Sequence, residues 1–258
     1  VASLLDLKAK TTLFLLAGLM CGSLAFIALD ATYSHTADVY MLALMLNIAA
    51  AWLCLRGKRR VPSVLAAVVL LVISTGLYQA YLQVFTALTM VWALLRLLKT
   101  DDRAIPEAAA RCAQSVLALM LAMALFFVGY YVVMAVTGVE AVSKANSIGG
   151  MKVLSGAALV DMVKTTWKMP LWQLERLQGR IAPLARMLTA VVLMTGAAAT
   201  IFTARRSRVS AWQALGMAVL VLFLPFGMNW ICLFCSGAVH DLMRYAYIVP
   251  LQNRQIQF

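Results

Sequence analysis

The sequence predicts an all-α polytopic transmembrane helix bundle of about seven spans, with amphipathic surface helices in a long outer segment. Three observations predict it. Of 258 residues, 64% are hydrophobic and only 12% are charged, whereas soluble domains carry roughly 45–50% apolar and about 25% charged residues. The apolar residues come in runs of spanning length, and mean hydropathy is +0.88. The basic residues lie almost wholly between those runs. A soluble fold of this length has too little interior for so much apolar surface, and the composition equally excludes disordered, collagen-like and disulfide-framework chains.

A spanning helix needs ~20 mostly apolar residues, with a range of about 17–25. The runs 11–29, 39–55, 61–77, 78–98, 112–136, 187–203 and 212–235 meet that length, 39–55 being short. Runs 61–77 and 78–98 touch, which predicts a tight helical hairpin at Gly76-Leu77-Tyr78-Gln79. Gly18 with Gly22, and Gly196 with Thr200, have the spacing of close helix packing. Residues 1–136 thus hold spans one to five with the hairpin at 76–80. Residues 137–186 form an outer amphipathic segment, and 187–258 hold spans six and seven with an outer tail.

Charge sets the expected orientation. With the N-terminus cytoplasmic, the short inner segments carry Lys8 and Lys10, then Arg56, Lys58, Arg59 and Arg60. They continue with Arg96, Lys99, Arg103 and Arg111, then Arg205, Arg206 and Arg208. The short outer segments 30–38 and 76–80 carry no basic residue, and the tail carries Arg244 and Arg254. This asymmetry is the positive-inside pattern, from which long loops are exempt. It also accounts for the net charge of +12 without nucleic acid, since no basic stripe with interleaved aromatics tracks a phosphate backbone.

In the long outer segment, Val153, Ala157, Val160, Val163 and Trp167 share one helical face. Leu171, Leu174, Leu177, Ile181 and Leu184 share another, and Pro170 divides the two. Lys164, Lys168, Gln173, Arg176 and Arg180 lie off those stripes. Such helices suit the membrane surface, or their apolar faces pack on the bundle.

No Asp, Glu, Lys or Arg occupies the middle of any run. Ion pathways and proton relays need ionisable groups at membrane depth, so chemistry is expected at a membrane face. The five cysteines (Cys21, Cys54, Cys112, Cys232 and Cys235) lie in or at the edge of apolar runs, as small hydrophobes do. Cys232 and Cys235 are spaced as CxxC without a second pair, and His35 and His240 are the histidines available, so no metal site is expected.

On the outer face, Asp30 and Asp38 bracket a short loop containing His35. They are placed to act as a general base or to hold a cation, or, for Asp38, to cap the second span. The hairpin region sets Tyr78, Gln79, Tyr81 and Gln83 in one boundary. Tyrosine there is an interface anchor. The glutamines, one turn apart, either bind a sugar or head group or hydrogen-bond between helices, because a buried amide needs partners.

The stretch Gly76-x-Tyr78-Gln79-Ala80-Tyr81 resembles the signature hairpin of the GtrII-type membrane glucosyltransferases, bacterial enzymes that decorate O-antigen and related surface polymers. The flanking order is similar: a basic loop (Arg56 to Arg60) before it, and a charged loop (Lys99 to Arg111) after it. Then come a span ending in Phe126-Phe127-x-x-Tyr130-Tyr131 and a long outer segment, with Ser236-Gly237 and Arg244 near the end. The similarity is best over about 39–150.

The resemblance implies a C-type glycosyltransferase that takes a sugar from a polyprenyl-phosphate donor at the outer face of the bacterial inner membrane and passes it to a glycan acceptor. It implies no cofactor, with donor, acceptor and membrane lipid as the partners. The family's catalytic acids sit in an outer loop after the first span, and no extended acidic loop precedes residue 39 here. Either the chain, which begins at Val1, is an internal segment of a longer enzyme, which is the expectation, or Asp30 and Asp38 do that work, or it is not catalytic. Lys164, Lys168, Arg176 and Arg180 are then positioned to pair with the donor phosphate. From a different class, a non-enzymatic carrier or subunit would hold a lipid-linked sugar with the same hairpin and surface helices.

Overall fold

A computed structural model describes residues 37–58, 60–99, 101–138, 160, 163–164 and 209–230. The runs 11–29 and 187–203, the two small-residue motifs within them, and most of the outer segment lie outside the described residues. Within them the chain is helical, without strand: α1 (Ala37–Arg56), α2 (Arg60–Tyr78), a 3-10 turn (Gln79–Tyr81), α3 (Leu82–Leu97), α4 (Ala104–Thr137) and α5 (Ala211–Gly227).

Local chemistry sets the helix ends. Pro62 and Pro106 both fall in the first turn of their helices, where the missing N–H removes no helical bond. Gly57 follows α1, its N–H on the Leu53 carbonyl at 3.0 Å. A Cβ there would collide with the Ser63 hydroxyl, so the α1–α2 turn is this tight only with glycine. Gly138 ends α4 in the left-handed region (φ 68°), donating to the Met134 carbonyl. Ser210 and Gln213 form a reciprocal capping box at the start of α5, and Pro225 lies in the last turn of that helix.

Long-range bonds give the direction of every helix. Arg111, near the start of α4, donates to the Cys54 and Gly57 carbonyls at the end of α1. Arg96, in the last turn of α3, pairs with Asp101 and Glu107, and Gln213 of α5 donates to the Lys99 carbonyl. Those segments therefore share one end of the bundle, which is also where Arg56, Lys58, Arg60 and Arg103 lie in the chain. At the other end Tyr40 of α1 meets Tyr78 of α2, and Gly76 faces Phe126 of α4. Thus α2 and α4 run one way, and α1 and α3 the other.

The chain does reverse near residue 78, but not as the expected tight hairpin. Helix α2 continues through Gly76 and Leu77, and the break comes at Tyr78, whose backbone is extended (φ −159°, ψ 102°). Beyond it α2 and α3 make few direct contacts, while α1 and α4 each pack against both. The reason is that α3 is buried on nearly every side, from Leu82 and Phe85 to Trp92 and Leu97. A helix that apolar all round takes the middle of a bundle rather than one flank of a pair.

The α1–α2 contact is the most extensive in the bundle, because small side chains line it: Ala43, Ala50, Ala51 and Cys54 on α1, Ser63 and Ala67 on α2. A polar knot crosses it. The Asn47 amide nitrogen donates to the Ala43 carbonyl (3.0 Å) and to the Ser74 hydroxyl, which donates to the same carbonyl (2.9 Å).

Among the described residues, three stretches are long and apolar enough to cross a membrane: Ala37–Arg56, Arg60–Leu97 and Ala104–Thr137; α5 is a shorter apolar helix. Arg60–Leu97 includes the reversal, so the expected count of about seven is not established by the described residues. Helix α4, at 34 residues, is ~51 Å long. That exceeds the ~30 Å hydrocarbon core, so its charged first turns extend past the apolar part. Along α4, Val116, Leu117, Met120, Leu121, Leu125, Val128, Val132 and Val136 are exposed, an apolar face that suits lipid. The protein is a helical membrane protein.

Asn47→Leu and Ser74→Ala each remove the shared bond across α1 and α2. Each is expected to lower unfolding stability in detergent by about 1 kcal/mol. The double variant should lose little more than the worse single one. Thermal unfolding of the set checks this.

Candidate functional site

The end of the bundle opposite the basic loops carries the candidate site. Tyr78, at the extended break, stands edge-on to two rings: Tyr40 of α1 at 4.7 Å and 79°, and Tyr81 at 4.8 Å and 74°. These are the favoured T-shaped arrangements of aromatic quadrupoles. Tyr81 is fully buried, and its ring anchors the 3-10 turn to α1 through Tyr78. Gln79 is half-buried in that turn.

Gln83, at the second position of α3, is 0% exposed, and neither its amide nitrogen nor its amide oxygen has a hydrogen-bond partner. One turn further on, the Thr86 hydroxyl lies within reach of the Gln83 and Gly227 carbonyls and accepts from the Trp230 indole at 3.2 Å. These bonds dock the end of α5 on α3. A side chain at Gly227 would run into the Met90 sulfur.

Asp38 is exposed in the first turn of α1, two residues before Tyr40. It is therefore within the first turn of the helix rather than at a cap preceding it. A carboxylate there favours the helix electrostatically while remaining open to a reactant. The structure thus brings Asp38, Tyr78, Gln79, Tyr81 and Gln83 to one end of the bundle. Lys164 is exposed and helical, as are Val160 and Val163 of the adjacent stripe. Asp30, His35, Lys168, Arg176, Arg180, Cys232, Cys235 and His240 lie outside the described residues. Among the described residues no three His, Cys, Asp or Glu side chains come together as a metal would require.

Sequence reasoning missed Tyr40, Asn47, Thr86 and Trp230. Tyr40 carries a usable signal, a tyrosine in the first turn of a spanning run. Asn47 does too, as an amide inside one. Thr86 and Trp230 are 144 residues apart in the chain, and nothing local announces their meeting.

The basic end is a structural counterpart. The Arg96 guanidinium, nearly buried, donates through Nε to Glu107 (2.7 Å) and through one terminal nitrogen to Asp101 (2.8 Å). Two carboxylates on one guanidinium tie the α3–α4 loop to both helices. The hydrogen bond from Arg96 holds the exposed Asp101 carboxyl below its ordinary value. Its stabilising contribution is complete above the ordinary aspartate value of 3.8 and is lost as pH falls through the depressed folded value. The wild-type melting midpoint should therefore drop on acidification below 3.8. Asp101→Asn, with no carboxylate to protonate, should start lower, fall less, and converge with wild type at the acid end. Thermal unfolding across that range checks it.

Neither a curated protein nor a solved structure matches the chain. The family described as Glucosyl transferase GtrII matches it over residues 1–251, a wider stretch than the 39–150 over which the hairpin and its flanks are most similar. With nearly the whole chain matched, and a helical membrane bundle carrying the Gly76 to Tyr81 turn at one end, the protein is a membrane glucosyltransferase and belongs to the GtrII family.

Proposed function

We propose that the enzyme transfers glucose, or a related sugar, from a polyprenyl-phosphate donor to a surface glycan such as O-antigen. In this reading the bundle sits in the bacterial inner membrane, with the N-terminus and the basic end cytoplasmic. The aromatic end then faces outward. The observation that carries the reading is that family membership coincides with a bundle of two unlike ends. Arg56, Lys58, Arg60, Arg96, Lys99, Arg103 and Arg111 gather at one end, and Tyr40, Tyr78, Gln79 and Tyr81 at the other. Positive charge favours the cytoplasmic side, which leaves the aromatic end for a donor presented outside.

A polyprenyl-phosphate sugar arrives with its anomeric carbon already activated, so the reaction draws on no cofactor for activation. The acceptor hydroxyl oxygen bonds to the anomeric carbon as that carbon's bond to the phosphate oxygen breaks. The bonding pair leaves with the phosphate, and the hydroxyl proton passes to a carboxylate, for which Asp38 and Asp30 are the candidates. Tyr78, Gln79, Tyr81 and Gln83 orient the sugar. Lys164, Lys168, Arg176 and Arg180 pair with the departing phosphate. The exposure of Val160, Val163 and Lys164 supports a segment lying on the membrane surface, where the polyprenyl chain is anchored.

Transfer of radiolabelled glucose from polyprenyl-phosphate glucose, in membranes from cells expressing the protein, tests the reading. Gln79→Ala should cut transfer about tenfold, the loss of one good hydrogen bond to substrate, while the protein inserts normally. Wild-type transfer by that variant would assign Gln79 to packing. Replacing Arg176 and Arg180 together by Glu should weaken binding of polyprenyl-phosphate glucose. Unchanged binding would leave them as contacts to ordinary anionic lipid.

A further inference from the structure

Gln83 differs from the bundle's interior amides Asn47, Gln114 and Gln213. Asn47, equally buried, gives its nitrogen to two oxygens and so knots α1 to α2. Gln114 accepts from Arg111. Gln213 donates to Lys99 and completes a helix cap. Gln83 alone among these has its donor and its acceptor both buried and without partners. In an apolar bundle such a group opposes folding, because no protein partner compensates its desolvation. A leucine or methionine would fill the same space without that penalty.

The position has a chemical setting. Gln83 lies two residues beyond Tyr81 and at the second position of α3, the positive end of that helix dipole. No side chain caps that helix start. The residues it neighbours in sequence form the turn on which the two tyrosine rings meet. The described basic side chains whose partners place them, Arg96 and Arg111, are at the opposite end of the bundle. Resting on the donor assignment made above, we propose that the Gln83 amide is the specificity-determining contact for two vicinal hydroxyls of the donor hexose, satisfied when the sugar enters the aromatic end.

The amide itself selects the ligand class. Its nitrogen is a donor only and its oxygen an acceptor only. A sugar hydroxyl both accepts and donates, so vicinal hydroxyls of a pyranose satisfy the two atoms together. A phosphate oxygen at neutral pH only accepts, which would leave the amide oxygen orphaned. Phosphate recognition therefore belongs elsewhere.

Two measurements on the full protein in membranes test this. Gln83→Met keeps the volume and removes both polar atoms. Its thermal midpoint should equal or exceed that of wild type, while kcat/KM for polyprenyl-phosphate glucose falls about 10- to 100-fold, as expected for a lost contact in a dry site. Independently of any variant, the wild-type enzyme should discriminate against at least one monodeoxyglucose analogue of that donor by about the same factor. Gln83→Met should lose that discrimination.

Wild-type transfer by Gln83→Met would overturn the inference while leaving the donor assignment intact. So would a lowered midpoint, which would mark the amide as a structural tie, or equal use of every deoxy donor by the wild type. Absence of wild-type transfer from polyprenyl-phosphate glucose would instead overturn the donor assignment, and this inference with it.

Discussion

The burial of α3 on nearly every side is the constraint that organises the bundle. A helix that apolar gains most from having neighbours all round, and the chain supplies them by reversing at Tyr78 and sending α3 back through the middle. Helices α1, α4 and α5 then pack around it, and α2 packs on α1 and α4 rather than on α3. Because the interior is dry, each polar group there must be tied, or stand as an exception with a reason. Asn47 and Ser74 tie α1 to α2, and Thr86 ties α3 to the end of α5.

Those ties make the two ends of the bundle chemically unlike. At one end guanidinium groups are used as staples: Arg96 holds the α3–α4 loop and Arg111 holds the end of α1. Their charge is spent on carboxylates and backbone carbonyls that fix loop geometry. At the other end the connections are rings meeting edge to edge and a short 3-10 turn. An aromatic, hydrogen-bonding end without basic side chains among the described residues is suited to a sugar, whose hydroxyls want both donors and acceptors.

The reading from residues alone was closest where the physics is local. Runs 39–55 and 112–136 correspond to α1 and α4, because runs of apolar residues free of breakers have little alternative in lipid to satisfying their backbone as helix. The reversal near residue 78 was legible from two abutting runs with tyrosine and glutamine between them. Its form was not, since whether two helices pair or splay depends on what else competes for their faces. A helix cap was one of the roles read for Asp38, which instead lies inside the first turn, a difference of two residues that sequence does not resolve.

Composition, run length and the placement of Arg and Lys by themselves determined that this chain is a helical membrane protein with its basic loops on one side. They do so because backbone desolvation and charge are penalties each segment meets alone. The Gly76 to Tyr81 pattern further pointed to the family. Only the tertiary structure decided that α3 is central, that Tyr40 joins Tyr78 and Tyr81, and that Thr86 meets Gly227 across 141 residues. It also separated two amides that look alike in the sequence: Asn47 has partners for its nitrogen, and Gln83 has none for either atom. Partnership is a property of the space between helices, and that space exists only once they have packed.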